Sequence, residues 1–497
     1  MIEFLRMEEM SGLLNDDIEG FKYWLFIRDK VYSKIFELEP KSSIEQKNVS
    51  SKIDQTFGTN VMTLSNKVVK VSDLLYVLKN LTLCNPVFYN KHHDVLFFTS
   101  PRRTFIDGRY FEYWTDELAD YYKDKGITAE YLNITNHMRP YWTNKVLELD
   151  AVDVLPVLTY KIVGLNNDEK KTCKVKTEKV VRILQEYLNC NIQSSWIYSL
   201  ICSRYYWHKK KSKYFTKMLK NIHPKVIVEV CGYSTNSLTI NEIASKMNIP
   251  TIELQHGIIG KEHISYNFWA NRKYDCLPDK LLVFSDYWKN TCRFPIGQEN
   301  IVSCGYPFAE MQKKRYPARQ ERDNDSVSIL ILSQPIFHDK LVPFIEETLH
   351  LLKRTDLSFS IMYKLHPTEY SKSIDEWSTL TKYKEVSIIN NSDIQLYEMF
   401  ASSDIQIGMT STSIFEGLLY NLDTYILDIG NSKERMQDLC NEGYAKMINS
   451  PNDLFHCLAE YKRRKVAKKQ TSFFKLNATN NIINEIDRYL KKYEKNK

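Results

Sequence analysis

Uninterrupted apolar runs, each closed by a polar turn, recur along this chain and limit what it can fold into. Asp94-Val95-Leu96-Phe97-Phe98-Thr99, Lys225-Val226-Ile227-Val228-Glu229-Val230-Cys231 and Thr251-Ile252-Glu253-Leu254 come first. A strand with one wet face alternates apolar and polar residues, whereas a run without alternation suits a parallel strand covered on both sides. Beyond residue 280 the runs become regular: Leu281–Ser285, Ile301–Cys304, Val327–Ser333, Phe359–Leu365, Val386–Asn390, Ile405–Met409 and Thr424–Asp428. Helical patterns near 338–353, 393–402, 412–420 and 452–465 separate them. Such alternation argues for open, doubly wound parallel sheets. The expected fold class is therefore α/β: two Rossmann-like doubly wound parallel-sheet domains facing a cleft, with additional helices.

The same pattern divides the chain into a Rossmann-like domain over 1–275 with a helical N-terminal extension, a second over 276–460, and a basic helical tail over 461–497 that can cross back to the first. Helical patterns fill 1–75, 115–125 and much of 140–222, with Asp153-Val154-Leu155 read as a further strand. The aromatic, basic piece Phe21–Arg28 reads as a helix packed on the main fold.

Composition excludes several classes. Among 497 residues, 43% are hydrophobic and 13% aromatic, enough for more than one core and too many for a disordered chain. With only 15 Gly and 15 Pro it is neither collagen-like nor linker-like. Sixty-eight Lys and Arg against 61 Asp and Glu leave +7. Outside the tail this charge is not gathered into an aromatic-interleaved stripe, so no nucleic-acid partner is expected. The 10 Cys show no CxxC spacing, which reads as reduced thiols without disulfides or a zinc site. No stretch approaches the ~18 apolar residues of a membrane span, and the first residues lack a signal-peptide core. The expected location is the cytoplasm. In the tail, Lys462, Arg463, Arg464, Lys465, Lys468, Lys469 and Lys475 stand beside Phe473 and Phe474. Two readings stay open for them: peripheral contact with the anionic inner face of the plasma membrane, or a solvated basic helix that packs its Phe residues on the core.

In open α/β sheets ligands sit beyond the carboxyl ends of strands, so those ends carry the functional candidates. One run ends in Lys364-Leu365-His366-Pro367. His366 there can donate to a leaving phosphate and Lys364 can add charge; the alternative is a capping or packed His. Another ends in Thr410-Ser411-Thr412-Ser413 ahead of a helix carrying Glu416. Ser411, Thr412 and Ser413 at a helix N-terminus suit a phosphate, and Glu416 suits ribose hydroxyls. N-capping explains one hydroxyl of the four, and a capping box would explain Glu416. In the first half Gln255-His256-Gly257 follows a strand, with Lys261 and His263 behind it. His256 or Asp107 can serve as general base, with Arg102, Arg103 and Arg109 holding an anion; Asp107-Gly108 is also ordinary turn chemistry. Glu229 and Glu253, inside apolar runs, each require a partner or a wet face. Neither GxGxxG nor GxxxxGK occurs, and Gly232-Tyr233-Ser234-Thr235-Asn236 lacks the second Gly of a nucleophile elbow. Asp323-Asn324-Asp325 has the spacing of a metal clip but lies in a charged loop, so no metal is expected.

In this order the motifs resemble bacterial surface-polysaccharide glycosyltransferases of GT-B architecture. His366-Pro367 and Ser411-Thr412-Ser413 are similar to the HP and Ser-Ser/Thr motifs of capsule and lipooligosaccharide sialyltransferases, whose acidic motif is matched in part by Ile106-Asp107-Gly108. His256-Gly257 is similar to the His-Gly of CDP-glycerol glycerophosphotransferases. The resemblance covers roughly 90–460 and implies a metal-independent transferase with no cofactor beyond its substrate. The donor would be a nucleotide-sugar, CMP- or UDP-linked among the options, and the acceptor an oligosaccharide or lipid-linked glycan. Rival readings are CDP-polyol phosphate transfer, nucleotide-sugar 2-epimerisation and an inactive assembly scaffold.

Overall fold

The computed structural model describes residues 1–36, 82, 85–99, 102–130, 142–143, 146–318, 326–392, 394–461 and 473–495. The chain divides into two units, Met1–Gly305 with Asn477–Lys497, and Tyr306–Leu476.

The first unit contains β1 (Val95–Thr99), a hairpin of β2 (Arg103–Ile106) and β3 (Arg109–Glu112), then β4 (Gly126–Glu130), β5 (Val146–Glu148), β6 (Val226–Val230), β7 (Thr251–Leu254), β8 (Lys280–Val283) and β9 (Ile301–Ser303). Seven of these form one sheet in the order β5-β4-β1-β6-β7-β8-β9, every pair parallel. Each residue of β1 and β6 is buried, as their unbroken apolar runs require. On one face Leu96, Phe98, Ile127 and Ile227 meet Phe215, Met218 and Leu219 of the helix Ser194–Ile222 and Ile240 and Ile243 of the helix Thr235–Lys246. The C-terminal helix Ala478–Lys495 also belongs to this unit. Tyr122 Oη donates to Asp487 at 2.7 Å, and Lys280 Nζ to Glu485 at 2.7 Å, the latter pair buried.

The second unit holds β10 (Val327–Leu332), β11 (Phe359–Lys364), β12 (Val386–Ile389), β13 (Ile405–Gly408), β14 (Asp423–Leu427) and β15 (Lys446–Ile448). They form one sheet in the order β12-β11-β10-β13-β14-β15, again all parallel. Its core joins Ile329, Ile331, Ile361, Tyr363, Ile405 and Ile407 to Leu341, Ile345 and Leu349 of the helix His338–Leu352. Both units are therefore doubly wound. In each, strand order grows outward from the first strand and then reverses: between β1 and β6 in one, between β10 and β13 in the other.

Several expectations change. The boundary is not at 275/276, because β8 and β9 extend the first sheet, with Ile252 paired to Lys280 and Leu281 to Ile301. A strand closing one sheet carries the same apolar run as one opening the next; the break comes at Gly305, whose φ is 102°. The tail is shared: Phe473 and Phe474 belong to the second unit and the helix after them to the first. Asp153-Val154-Leu155 lies in the helix Asp150–Ile162, and three residues cannot reveal a period of two or of 3.6. Phe21–Arg28 does pack inward, as the short 3₁₀ turn Tyr23–Phe26 with all four residues buried, followed by a helix from Arg28.

Inside β13, buried Gln406 donates through Nε2 to Ile414 O at 2.8 Å and to Thr424 Oγ1 at 2.9 Å. It ties the short helix Ser413–Leu418 to β14, and a Cβ on Gly417 would stand 2.0 Å from its side-chain oxygen. Gly417→Ala must therefore displace either the clamp or the helix. We expect it to cost about 1–3 kcal/mol or more, read as a lowered urea midpoint for the second unit; an unchanged midpoint would show that Gln406 yields freely.

Candidate functional site

The reversal point of a doubly wound sheet is where loops on either side part and leave room for a ligand. At the first one, β6 is followed by Cys231, a non-glycine residue at φ 65°, and then Gly232. A Cβ on Gly232 would lie 2.5 Å from Glu253 Oε2 and 3.0 Å from Glu229 Oε1, so only glycine lets the backbone approach these carboxylates. Gly232 N donates to Glu253 Oε1 at 2.9 Å, and Tyr266 Oη donates to the same oxygen.

Two residues beyond β7, His256 is half-buried between two tyrosines. Its Nδ1 lies 3.4 Å from Tyr266 Oη and its Nε2 3.4 Å from Tyr233 Oη. Trp114 meets the ring edge-on at 6.3 Å, and His263 packs on Tyr233 and Tyr266. Arg102 lies over Trp114. Burial, then the charges of Arg102 and His263, hold the imidazole well below its ordinary pKa, so it is neutral near pH 7. Gln255 fixes the turn: Nε2 donates to Gly257 O at 2.8 Å, while Oε1 accepts from Phe284 N at 2.8 Å.

The other candidates of this unit have local roles of their own. Asp107 (φ 49°) and Gly108 (φ 80°) form the exposed two-residue tip of the β2–β3 hairpin, where consecutive positive φ values demand Asp-Gly. Turn chemistry accounts for the backbone at Asp107. Arg103 is committed to Asp116 at 2.9 Å with both side chains buried; Arg109 and Lys261 are exposed.

Glu229 and Glu253 face each other in register on β6 and β7, and both are buried. Asn241 Nδ2 donates to Glu229 Oε1 at 2.7 Å. Burial, then the neighbouring Glu253, pushes the Glu229 carboxyl up to about 8; burial raises Glu253 to about 7 against the pull of Tyr266 and Gly232 N.

At the second reversal point Gln334 spans the gap between the ends of β10 and β13. Its Oε1 accepts from Thr410 N at 2.8 Å and its Nε2 donates to Thr410 Oγ1 at 3.0 Å. Ser411 Oγ accepts from Ser413 N at 3.2 Å, a local cap. Two of the four consecutive hydroxyls thus have structural work, and Thr412 and Ser413 remain half-buried beside them. The helix they open has only six residues, so it lends little macrodipole. His366 Nδ1 accepts from Thr368 N at 3.3 Å and Glu369 Oε2 accepts from His366 N at 3.0 Å, a capping box around Pro367. Ser333 Oγ donates to Glu369 at 2.8 Å, which pins this turn to the end of β10. A ligand would meet His366 through Nε2. The Lys364 ammonium donates to Tyr370 Oη at 2.6 Å and to Asn391 O. Burial pushes half-buried Glu416 up to about 7, with Tyr397 pulling it back.

Tyr233, Tyr266, Gln334 and Glu369 are absent from the sequence-based set. Only Glu369 carried a signal, three residues beyond His366 as in a capping box. Asp323 and Asp325 lie outside the described residues; among the described residues no group of three or more His, Cys, Asp or Glu is placed to hold a metal.

No known family profile matches the sequence, and no curated protein matches it. Solved structures that superpose on it include UDP-GlcNAc 2-epimerase from Methanocaldococcus jannaschii, at 12% identity and TM-score 0.48, covering 80% of this chain and 99% of that one. The wall teichoic acid polymerase TagF covers 86% of this chain and 99% of its own at 13% identity and TM-score 0.40. Acinetobacter baumannii MurG covers 80% and 99% at 11% identity and TM-score 0.43. At these values the likeness assigns no activity to this chain.

A carboxyl whose folded pKa is raised contributes stability that is complete below its unfolded value and is lost as pH rises through the folded one. Glu229→Gln keeps the acceptor for Asn241 and cannot ionise. Its stability relative to the unchanged protein should therefore grow from about pH 5 to about pH 8, by on the order of 3 kcal/mol, in denaturant melts across that range; a flat difference would mean Glu229 stays ionised at no cost. At the second site, His366→Asn keeps a capping acceptor but removes Nε2. This variant, and the triple change Ser411→Ala, Thr412→Ala and Ser413→Ala, should each weaken nucleotide binding in calorimetric titration. Unchanged affinity in both would remove these residues from the ligand site.

Proposed function

We propose that this protein is a GT-B-type, metal-independent glycosyltransferase that moves a sugar from a nucleotide-sugar to a growing surface polysaccharide such as capsule, O-antigen or lipooligosaccharide. The observation that carries this reading is the setting of His256. With Glu253 ionised, the Tyr266 hydroxyl donates its hydrogen bond to the carboxylate, and its oxygen is left to accept from Nδ1–H of His256. That tautomer leaves Nε2 as the basic nitrogen. A neutral, oriented imidazole at a strand's carboxyl end suits removal of a proton from an acceptor hydroxyl. In the proposed step the hydroxyl oxygen bonds to the anomeric carbon, its proton passes to His256 Nε2, and the bond from that carbon to the phosphate oxygen breaks with its electron pair staying on the phosphate. Direct attack with one base gives inversion. The second unit would hold the nucleotide, with His366 Nε2, Thr412 and Ser413 near the leaving phosphate and Glu416 near the ribose. Fixed donors aimed at that developing charge contribute as much as the base does.

A thermal-shift series with UDP, CMP, CDP, GDP and dTDP identifies the base, since a bound nucleotide stabilises by mass action. With the donor known, His256→Ala should lower kcat by about 10²–10⁴-fold and leave donor affinity nearly unchanged. Near-normal turnover would exclude His256 as base. Turnover should persist in excess EDTA; loss restored by Mn²⁺ would return attention to Asp323 and Asp325. The products separate the rivals: conversion of the nucleotide-sugar without an acceptor means 2-epimerisation, and transfer from a CDP-polyol means phosphate transfer.

A further inference from the structure

The helix Asp150–Ile162 is amphipathic in the wrong sense for a purely soluble surface. Its inward side carries buried Pro156, half-buried Tyr160, and Asp153, which is paired with Lys211. Its outward side carries Leu155, Leu158 and Ile162, at three- and four-residue spacing, with Val163 just beyond. These are 40%, 49%, 83% and 72% exposed. Single exposed apolar residues are commonplace, but a contiguous stripe on one helix marks a contact surface.

The surroundings decide what fits it. Lys161 is exposed in the last turn of the same helix. Tyr160 leans on Tyr206 at 5.1 Å, and Lys210 lies over Tyr206 at 5.3 Å. The next helix, Asn167–Leu188, opens with exposed Lys170, Lys171 and Lys174. Asp168 is the exposed acid among them; Glu169 is committed to the helix cap and to Lys209. The exposed charged residues that follow the stripe, in its last turn and at the start of the next helix, are therefore mainly ammonium groups. A twofold contact with a second copy would set these groups against one another, like charge on like, and four apolar side chains fall well short of the ~800 Å² per partner that stable interfaces bury. An anionic bilayer complements both features, taking the apolar stripe into the headgroup boundary and the lysines at the surface.

We propose that the outward face of this helix is a docking surface for anionic membranes. The two phenylalanines of the tail are not such an anchor: Phe473 packs against Phe415 and Tyr444, Phe474 stacks on Tyr306, and both are buried. The basic residues from Lys462 to Lys469 lie outside the described residues. The proposal does not rest on the transfer reaction, because binding is read without substrate.

The test is co-sedimentation of the full chain with vesicles of phosphatidylcholine, with and without phosphatidylglycerol, at low and high salt. Binding is expected only with phosphatidylglycerol and should fall with salt. The double change Leu158→Glu and Ile162→Glu, at exposed positions that leave the fold intact by circular dichroism, should reduce partitioning roughly tenfold or more. A second variant with Lys161, Lys170, Lys171 and Lys174 changed to Gln should bind more weakly and with less salt dependence. Absence of binding by the unchanged protein at low salt, or undiminished binding by both variants, would overturn the proposal. So would loss of binding only when Lys462, Arg463, Arg464 and Lys465 become Gln, which would assign it to the tail. Light scattering that shows a dimer dissociating in the Leu158/Ile162 variant, with vesicle binding retained, would identify the face as a self-contact instead.

Discussion

Every strand of the two large sheets runs parallel to its neighbours, and the functional candidates depend on that constraint. Parallel strands need crossovers, so all their carboxyl ends, and the loops that leave them, gather along one edge. Reversal of strand order then separates two adjacent loops in each unit. Arg102 and Tyr233 flank the first such gap, with His256 one strand further on. The second is spanned by Gln334 and Thr410, with His366 one strand away. None of these residues is near its partners in sequence; the sheet order alone assembles them.

The packing behind each edge is polar where a plain Rossmann core would be apolar. Glu229 and Glu253 occupy positions in continuous apolar strands and survive burial through three neutral donors: Asn241, Tyr266 and the Gly232 amide. In the second unit, Gln406, Gln334 and Glu369 tie strand ends to the turns that follow them. Such networks are expensive to leave half-made. That explains why glycine stands at 232 and 417, where any side chain would push into a carboxylate or an amide.

Much of the fold was legible because parallel strands buried on both faces leave long apolar runs. The strands that escaped notice had no such signature. β5 and β15 have three residues each, and Gly126 and Ala129 dilute β4. The domain boundary was illegible for the opposite reason: β8 and β9 look like any other strand, and nothing local says which sheet they join. At the sites, the histidines and the hydroxyl run stood out because turns after strands are short and chemically distinctive. Their supports did not. Tyr266 is one of 32 tyrosines and reaches Glu253 from the short 3₁₀ turn Ile264–Tyr266. Gln334 matters only because β13 lies beside β10. Asp107 shows the converse: a residue type suited to acid–base chemistry also meets what a two-residue hairpin requires of its backbone.

The electrostatics around His256 act in opposing directions. Burial raises Glu229 and Glu253 and lowers His256, so each group is pressed toward its uncharged form. Arg102 and His263 push the imidazole the same way. An ionised Glu253, linked through Tyr266, would pull it back and favour the imidazolium. A general base needs both influences: it must be neutral before the reaction and accept a proton during it. A histidine paired directly with a carboxylate would be more basic but more often already protonated. Were His256 the proposed base, a tyrosine between them would weaken the pull at rest, while leaving a chain of two hydrogen bonds that would strengthen once positive charge appeared on the ring.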